Sequence, residues 1–384
     1  MDKDTFQNIT PWEAQVNTDN KTVSINYNKI ISQFGCKSYT KDLTRKLEEF
    51  SKSTAHFYFS RNIVFAHRDF DILLEKMKNK KIYLYTGRGP SSESMHLGHV
   101  IPFQLCKYFQ DTFKCPLVIQ LTDDEKFLFK NQSLEESMKY CKENMKDIIA
   151  FGFDPDLTYI FSNVASAHLF EKNVLKISKS ITLNEACKVF GFDMNSNIGM
   201  INFPSKEIAP CYASSFDFLQ KGSMCLIPCA VDQDPYFRLA RDKANILKEP
   251  KPTTLYVSLL PDLKGVNKKM SASDNTSSIF LTDTPAKIAK KIKKYAYSGG
   301  KETLEEHRLL GGDTSIDIPY QYLRYFHTDS SELERIKEEY EKGNMSSGEI
   351  KNICIEVIQR FVKEYQERRK NVTDEVLDNF CKKL

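Results

Sequence analysis

The sequence predicts an α/β protein, with a parallel-sheet domain in its middle, a helical domain after it and a small extension before it. Three observations carry that expectation. From residue 82 to residue 121 an apolar strand, a glycine-rich turn, a helix and a second apolar strand follow one another, the order of a βαβ unit. After about residue 283 strand-like runs stop and helix-start signals take over. The chain's 384 residues also exceed one ordinary domain. The expected divisions are 1–80, 81–282 and 283–384.

The first stretch is polar and mixed, with short candidate strands at 22–25 and 56–59 and a helical pattern over 70–80. Residues 82–85 read as a short buried strand, broken by Thr86-Gly87-Arg88-Gly89-Pro90. A helix over about 94–110 would bring Leu97, Ile101, Leu105 and Tyr108 onto one face. Residues 116–121 are apolar almost throughout, as in a parallel sheet covered on both faces. Ser133 and Glu136 form a capping box, and Gly152 is placed to end the helix they start. Residues 157–161 read as the next strand, so the middle of the chain is Rossmann-like. Thr284-Pro285 has the form of an N-cap followed by a first-turn proline, with Ile288, Ile292 and Tyr295 at helical spacing behind it. Ser346 and Glu349 make another capping box, followed by the stripe Ile350, Ile353, Val357, Phe361 and Tyr365.

Composition narrows the class. Apolar residues at 41% and charged residues at 28% give the balance of a soluble globular chain, and no run is long enough to cross a membrane. A net charge of +4 permits contact with nucleic acid without demanding it. The ten cysteines are scattered, mostly inside apolar runs, and none forms a Cys-x-x-Cys pair. Cys225 and Cys229 lie closest, with no third and fourth ligand nearby for zinc. Reduced thiols, and a start (Met1-Asp2-Lys3-Asp4) without the basic and apolar parts of a signal peptide, make a cytoplasmic location the expectation.

The residues with chemical character gather in the βαβ unit. A glycine-rich turn runs through Gly87, Arg88 and Gly89 into Met95-His96-Leu97-Gly98-His99 at a helix start. Free backbone amides and the positive end of the helix dipole would there converge on one point and favour phosphate. Gly98 leaves no side chain, so a flat base could lie against the backbone. The spacing is neither the dinucleotide fingerprint nor a Walker loop. Taken alone, His-x-x-His also suits two surface histidines or half a zinc site. About 170 residues later, Lys268-Lys269-Met270-Ser271-Ala272-Ser273 reads as a basic, hydroxyl-rich loop able to close over a triphosphate, or as a solvated lysine turn.

Together, in that order, the two segments resemble a known pair. His96-Leu97-Gly98-His99 resembles the HIGH motif, and Lys269-Met270-Ser271-Ala272-Ser273 the KMSKS motif, of class I aminoacyl-tRNA synthetases. The strings Tyr85-Thr86-Gly87-Arg88-Gly89-Pro90-Ser91-Ser92-Glu93, Gln120-Leu121-Thr122-Asp123-Asp124-Glu125-Lys126 and Asp232-Gln233-Asp234-Pro235-Tyr236-Phe237-Arg238 are similar to those of the tryptophan-specific family of the eukaryotic cytosolic type. The resemblance extends from about Pro11 to the C-terminus.

The resemblance implies attack of the tryptophan carboxylate on the α-phosphorus of ATP, then transfer of the tryptophanyl group to the 3′ end of its tRNA. It assigns catalysis to His96, His99, Lys269 and Ser271. ATP would meet Arg88, Gly89, Gly98, Lys126, Met270 and Ser273 in addition. Tryptophan would meet Tyr85 and Gln120 at the indole N–H, and Glu125, Gln233 and Glu207 at the α-ammonium. An indole has one donor and no acceptor, so its pocket needs an oxygen at the base. Magnesium is expected with ATP, without a cluster of protein ligands. A homodimer is implied, as is anticodon reading by the C-terminal helices, with Lys287, Lys290, Lys291, Lys293 and Lys294 as candidate phosphate contacts.

Two departures stand out. Ala272 replaces the second lysine of the general motif, and Glu207 stands where the family would have glutamine. A tyrosine-specific synthetase, and a nucleotidyltransferase with the same His-x-Gly-His chemistry but no tRNA, remain as alternatives. The second would leave the helical region after residue 283 without a task. A non-enzymatic RNA-binding relative would have no need of His96, Gly98, His99 and Lys269.

Overall fold

Strands at the centre of this chain are apolar on both faces, and the computed structural model shows why. It describes residues 7–11, 14–16, 24–78, 81–272, 274 and 276–382. The described strands are β1 (Gln7–Ile9), β2 (Ala14–Val16), β3 (Lys37–Ser38), β4 (Val64–Arg68), β5 (Ile82–Arg88), β6 (Leu117–Leu121), β7 (Thr158–Ser162), β8 (Met224–Ala230), β9 (Thr253–Val257), β10 (Pro261–Asp262) and β11 (Gly265–Lys269). Seven of them form one sheet in the order β3-β4-β9-β8-β5-β6-β7. β9, β8, β5, β6 and β7 are parallel, and β4 and β3 close one edge antiparallel.

Side chains alternate between two cores, one per face. Ile82 and Leu84 enter the first with Leu117, Ile119 and Leu121, whereas Tyr83 and Tyr85 enter the second with Val118. The first core continues into the C-terminal helices through Ile288, Tyr322, Ile350 and Tyr365. The chain passes outward from β5 through β6 to β7, then returns to β8 on the other side of β5. That reversal opens a crevice at the carboxyl ends of β5 and β8, where α/β sheets bind ligands.

A second, four-stranded sheet has the order β1-β2-β11-β10. In it Lys268 pairs with Gln15, so the start of the chain is joined to the strand that leads into Lys269.

Several expectations hold closely. The capping boxes at Ser133/Glu136 and Ser346/Glu349 are present, starting the helices Leu134–Ile149 and Ser347–Lys370. Thr284 caps the Pro285–Tyr295 helix. No strand is described beyond Lys269.

Others shift. Residues 56–59 are not a strand: Phe57–Ser60 is one helical turn, with the His56 side chain accepting from the Tyr58 amide, and the strand lies further on at β4. Of the other candidate strand, residues 22 and 23 lie outside the described residues, and Ser24 and Ile25 precede the Tyr27–Phe34 helix without strand structure. β5 runs through the expected break, because Gly87 and Arg88 pair in register with Gln120 and Leu121. The following helix begins at Leu97, with His96 as its N-cap. In the long C-terminal helix Ile353 and Phe361 are half-buried, while Cys354, Ile358 and Val362 face the core. Neighbours pack on two sides of that helix, so its buried face is wider than one stripe.

Candidate active site

The crevice is a cavity of about 300 Å³ at the end of β5, walled by the turn after β5, the start of the Leu97–Phe113 helix, the end of β8 and the segment after β11. The two histidines close the helix start on themselves. The Gly98 amide donates to His96 Nδ1 (3.1 Å), and the His96 amide donates to His99 Nδ1 (3.2 Å). The rings stack with centroids 3.6 Å apart. Burial, then the nearby Arg88 cation, holds both imidazoles well below their ordinary range, so both are neutral. With each Nδ1 taken as an acceptor, the proton of each ring sits on Nε2. The pair thus supplies two N–H donors without net charge.

Gly98 sits where a side chain would be crowded. A Cβ there would stand 3.0 Å from His96 Cε1 and 3.6 Å from Met270 Cβ. The segment after β11 therefore rests directly on the helix start. Backbone bonds secure the contact: Leu97 N to Ile279 O (3.0 Å) and Leu281 N to Met95 O (2.9 Å). Met270 is buried, and its amide donates to Leu260 O at 2.9 Å. Lys269 reaches the cavity and forms an ion pair with Asp232 at the end of β8. Ser271 lines the cavity, and Ser273 lies outside the described residues.

On the opposite wall Asn144 holds the glycine-rich turn. Its Oδ1 accepts from Arg88 Nε (3.1 Å) and its Nδ2 donates to Ser92 O (2.9 Å). Burial lowers the Arg88 guanidinium to about 10, still a cation at neutral pH. Glu125 lies against Gly89, where a Cβ would meet its Oε2 at 1.9 Å. Its Oε1 takes the Lys126 ammonium at 2.6 Å. Glu207, from the Ile198–Ile208 helix, is buried, and Gln233 lines the cavity beside it. Burial, then Glu125 and Asp124, pushes the Glu207 carboxyl up to about 8.

Tyr85 and Gln120 are not in the cavity wall but one layer beneath it. The Tyr85 hydroxyl lies within reach of Gln120 Oε1 (2.5 Å) and Glu207 O (2.9 Å), and both side chains are fully buried. Gln120 Nε2 donates to Asn163 Oδ1 (2.7 Å), which fixes the amide with its oxygen toward Tyr85. Gly87 is the opening above them: a Cβ there would lie 3.8 Å from the Tyr85 hydroxyl.

The structure thus brings Arg88, Gly89, His96, Gly98, His99, Glu125, Lys126, Glu207, Gln233, Lys269, Met270 and Ser271 around one cavity. Sequence reasoning missed Asp232 and Asn144. Asp232 stands beside Gln233 in a string already singled out, but nothing local ties it to Lys269. Asn144 lies mid-helix with no signal at all.

A family model described as tRNA synthetases class I (W and Y) matches residues 77–363, which sets the class as class I aminoacyl-tRNA synthetase. A tryptophan–tRNA ligase of Encephalitozoon cuniculi is 61% identical over 97% of this chain and 98% of its own length. The human cytoplasmic tryptophan–tRNA ligase is 46% identical over 97% of this chain and 80% of its own. Among solved structures, the Encephalitozoon cuniculi tryptophanyl-tRNA synthetase bound to tryptophan superposes with a TM-score of 0.89, at 59% identity over 94% of this chain and 99% of that one. A parasite tRNA synthetase in a product-bound crystal gives 0.91 at 50% identity, covering 93% of this chain and 96% of that one. The chain belongs to the tryptophan–tRNA ligase family.

Proposed function

We propose that this cavity joins L-tryptophan to the α-phosphate of ATP and then passes the tryptophanyl group to the 3′ end of a tryptophan tRNA. The observation that carries the reading is the packing of Met270 on Gly98, which sets Lys269 and the two histidines on one space. Neither alternative keeps support beside a tryptophan–tRNA ligase that is 61% identical.

In the first step a carboxylate oxygen of tryptophan bonds to the α-phosphorus while the bond to the pyrophosphate oxygen breaks. No side chain need be a nucleophile; placement and charge stabilisation carry the step. His96 and His99 donate from Nε2 to phosphate oxygens, and Gly98 admits the adenine face. Arg88 and Lys126 add fixed cations. Lys269 leaves Asp232 for the β- and γ-phosphates, so its charge arrives where the leaving group gains its own. In the second step a tRNA hydroxyl attacks the tryptophanyl carbonyl carbon and AMP departs.

Tryptophan lies with its indole toward Gly87. If the Tyr85 hydrogen goes to the Glu207 carbonyl, its own lone pair and Gln120 Oε1 face the indole N–H. Phenylalanine would leave that acceptor unpaired. Glu125, Gln233 and Glu207 take the ammonium.

Magnesium, when bound with ATP, neutralises the charge on the phosphate oxygens. Asp232 fits as its protein ligand: Oδ2 serves Lys269, while Oδ1 is buried without a hydrogen-bond partner among the described residues.

On this reading residues 81–282 are the catalytic domain and 1–80 an extension of it, a division supported by the places of β3 and β4 at the edge of the seven-stranded sheet. Residues 283–384 read the anticodon. Lys287 and Lys291 are tied to Asp283, so Lys290, Lys293 and Lys294 are the exposed phosphate contacts on that helix. The protein works as a homodimer in the cytoplasm. The exposed Leu175, Met194 and Ile198 lie in the segment between β7 and β8 that a partner would cover. No described helix is long and apolar enough to cross a membrane.

ATP–pyrophosphate exchange tests the assignment. Tryptophan should drive exchange at least ~10³-fold better than phenylalanine or tyrosine, because phenylalanine has no donor for the buried acceptor and tyrosine carries its donor at the far end of a single ring, not at the indole N–H position. Exchange driven by tyrosine would overturn it.

A further inference from the structure

Among the described residues of the cavity wall, Glu125 and Asp232 form ion pairs and Glu207 does not. It is only 9% exposed, on the Ile198–Ile208 helix, and its Oε1 lies 3.9 Å from where a Cβ on Gly87 would stand. No ion pair or hydrogen bond is described for its side chain. The ammonium groups of Lys126, which acts on it, and of its chain neighbour Lys206 are engaged elsewhere: Lys206 with Asp124 at 3.0 Å, and Lys126 with Glu125 at 2.6 Å.

The groups facing it come from four directions. Asp124, Glu125 and Lys126 face it from the start of the Glu125–Phe129 helix, and Tyr85 from β5. Cys211 lies just after its own helix, and Tyr236 on the Asp234–Leu247 helix. Burial holds Tyr85, Tyr236 and Cys211 neutral, so the field at Glu207 is set by two carboxylates and one ammonium. A lone carboxylate in such a wall avoids the cost of a buried charge by keeping its proton. The upward displacement of its carboxyl to about 8 has the same cause.

We propose that Glu207 positions the α-ammonium of tryptophan, holding a proton in the empty cavity and releasing it to solvent as the ammonium binds. The inference rests on the tryptophan reading above. The balance is simple: a neutral carboxylic acid and an ammonium become a carboxylate–ammonium pair plus one free proton. No covalent bond to the substrate changes. A glutamine at this position would accept the same hydrogen bond and release nothing.

Calorimetric titration of L-tryptophan into the full chain at pH 7, in two buffers of different ionisation enthalpy, reads the proton directly. The wild type should release about 0.9 proton per tryptophan bound, and Glu207→Gln close to none. From pH 8 down to pH 6 the wild-type affinity should fall roughly ten- to fifty-fold, and that of Glu207→Gln should stay nearly level. Wild-type binding with no buffer dependence of the heat would overturn the inference, as would an unchanged pH slope in the variant. The wild-type measurement needs no variant, so it decides even if Glu207→Gln fails to fold. A wild type that binds no tryptophan in either buffer would instead sink the substrate assignment on which this rests.

Discussion

The two walls that close on the cavity are built differently. At the start of the Leu97–Phe113 helix the contacts go mainly to uncharged groups: His96 and His99 accept from backbone amides within three residues, Met95 and Leu97 exchange backbone bonds with Leu281 and Ile279, and the Asn144 amide locks the preceding turn. β11 and Asp274 add ion pairs to their backbone bonds. Lys264 pairs with Asp274 (2.6 Å), Lys268 with Asp262 (3.4 Å) and Lys269 with Asp232. Those lysine side chains keep between a quarter and a half of their exposure, so the pairs are partly screened and individually weak. One wall is preorganised and the other can exchange partners. A reaction that must accept a triphosphate and then hold a departing pyrophosphate needs both.

The sharpest way to break this contrast is Lys269→Ala. The first-step rate should fall by about 10²–10³, the scale for losing one stabilising charge in a transition state, while tryptophan affinity changes less than about threefold. Single-turnover adenylate formation beside tryptophan titration separates the two. Equal losses would mean that the lysine-bearing wall acts on ground-state binding.

Gly98→Ala attacks the fixed wall. The added methyl meets the His96 ring at 3.0 Å and Met270 at 3.6 Å, so the stacked imidazoles must shift. Exchange activity should drop by about ten- to hundredfold with KM for ATP rising, for a misplacement well under 1 Å. Unchanged KM would show that the close approach is incidental.

The smallest effect expected is on stability. Folding raises the Glu207 carboxyl from 4.5 to about 8, so its relative contribution is fully present below 4.5 and is lost as pH rises through about 8. Glu207→Gln should therefore be more stable than the wild type without ligand by about 1–3 kcal/mol at pH 8, with the gap closing toward pH 4.5. Urea melts at four pH values across that window would show it. A gap that widened on acidification would reverse the sign and refute the burial argument.

How much of this was legible in the sequence follows from how local each signal is. The capping boxes, the apolar strands and the two short motifs are readable because the residues that matter sit within a few positions of one another. The turn at 57–60 misled because Phe57-Tyr58-Phe59 has strand-forming side chains, while its actual state is set by His56 capping and by packing against distant helices. The Lys269–Asp232 pair and the clamp of Asn144 on Arg88 join residues that only the fold brings together. Tyr85 and Gln120 were expected at the substrate, and their depth beneath Gly87 depends on the pairing of β5 with β6.

The pairing of Gln15 with Lys268 bears on how the molecule is made. Roughly 250 residues separate the two partners, a loop whose closure must await most of the chain. As the ribosome delivers this protein, its first two strands emerge early and wait, with one edge bare, until β11 follows. The lysine-bearing wall of the cavity is therefore secured later than its first strands are made, and a nascent chain that stops short of residue 268 leaves that edge open to mispairing.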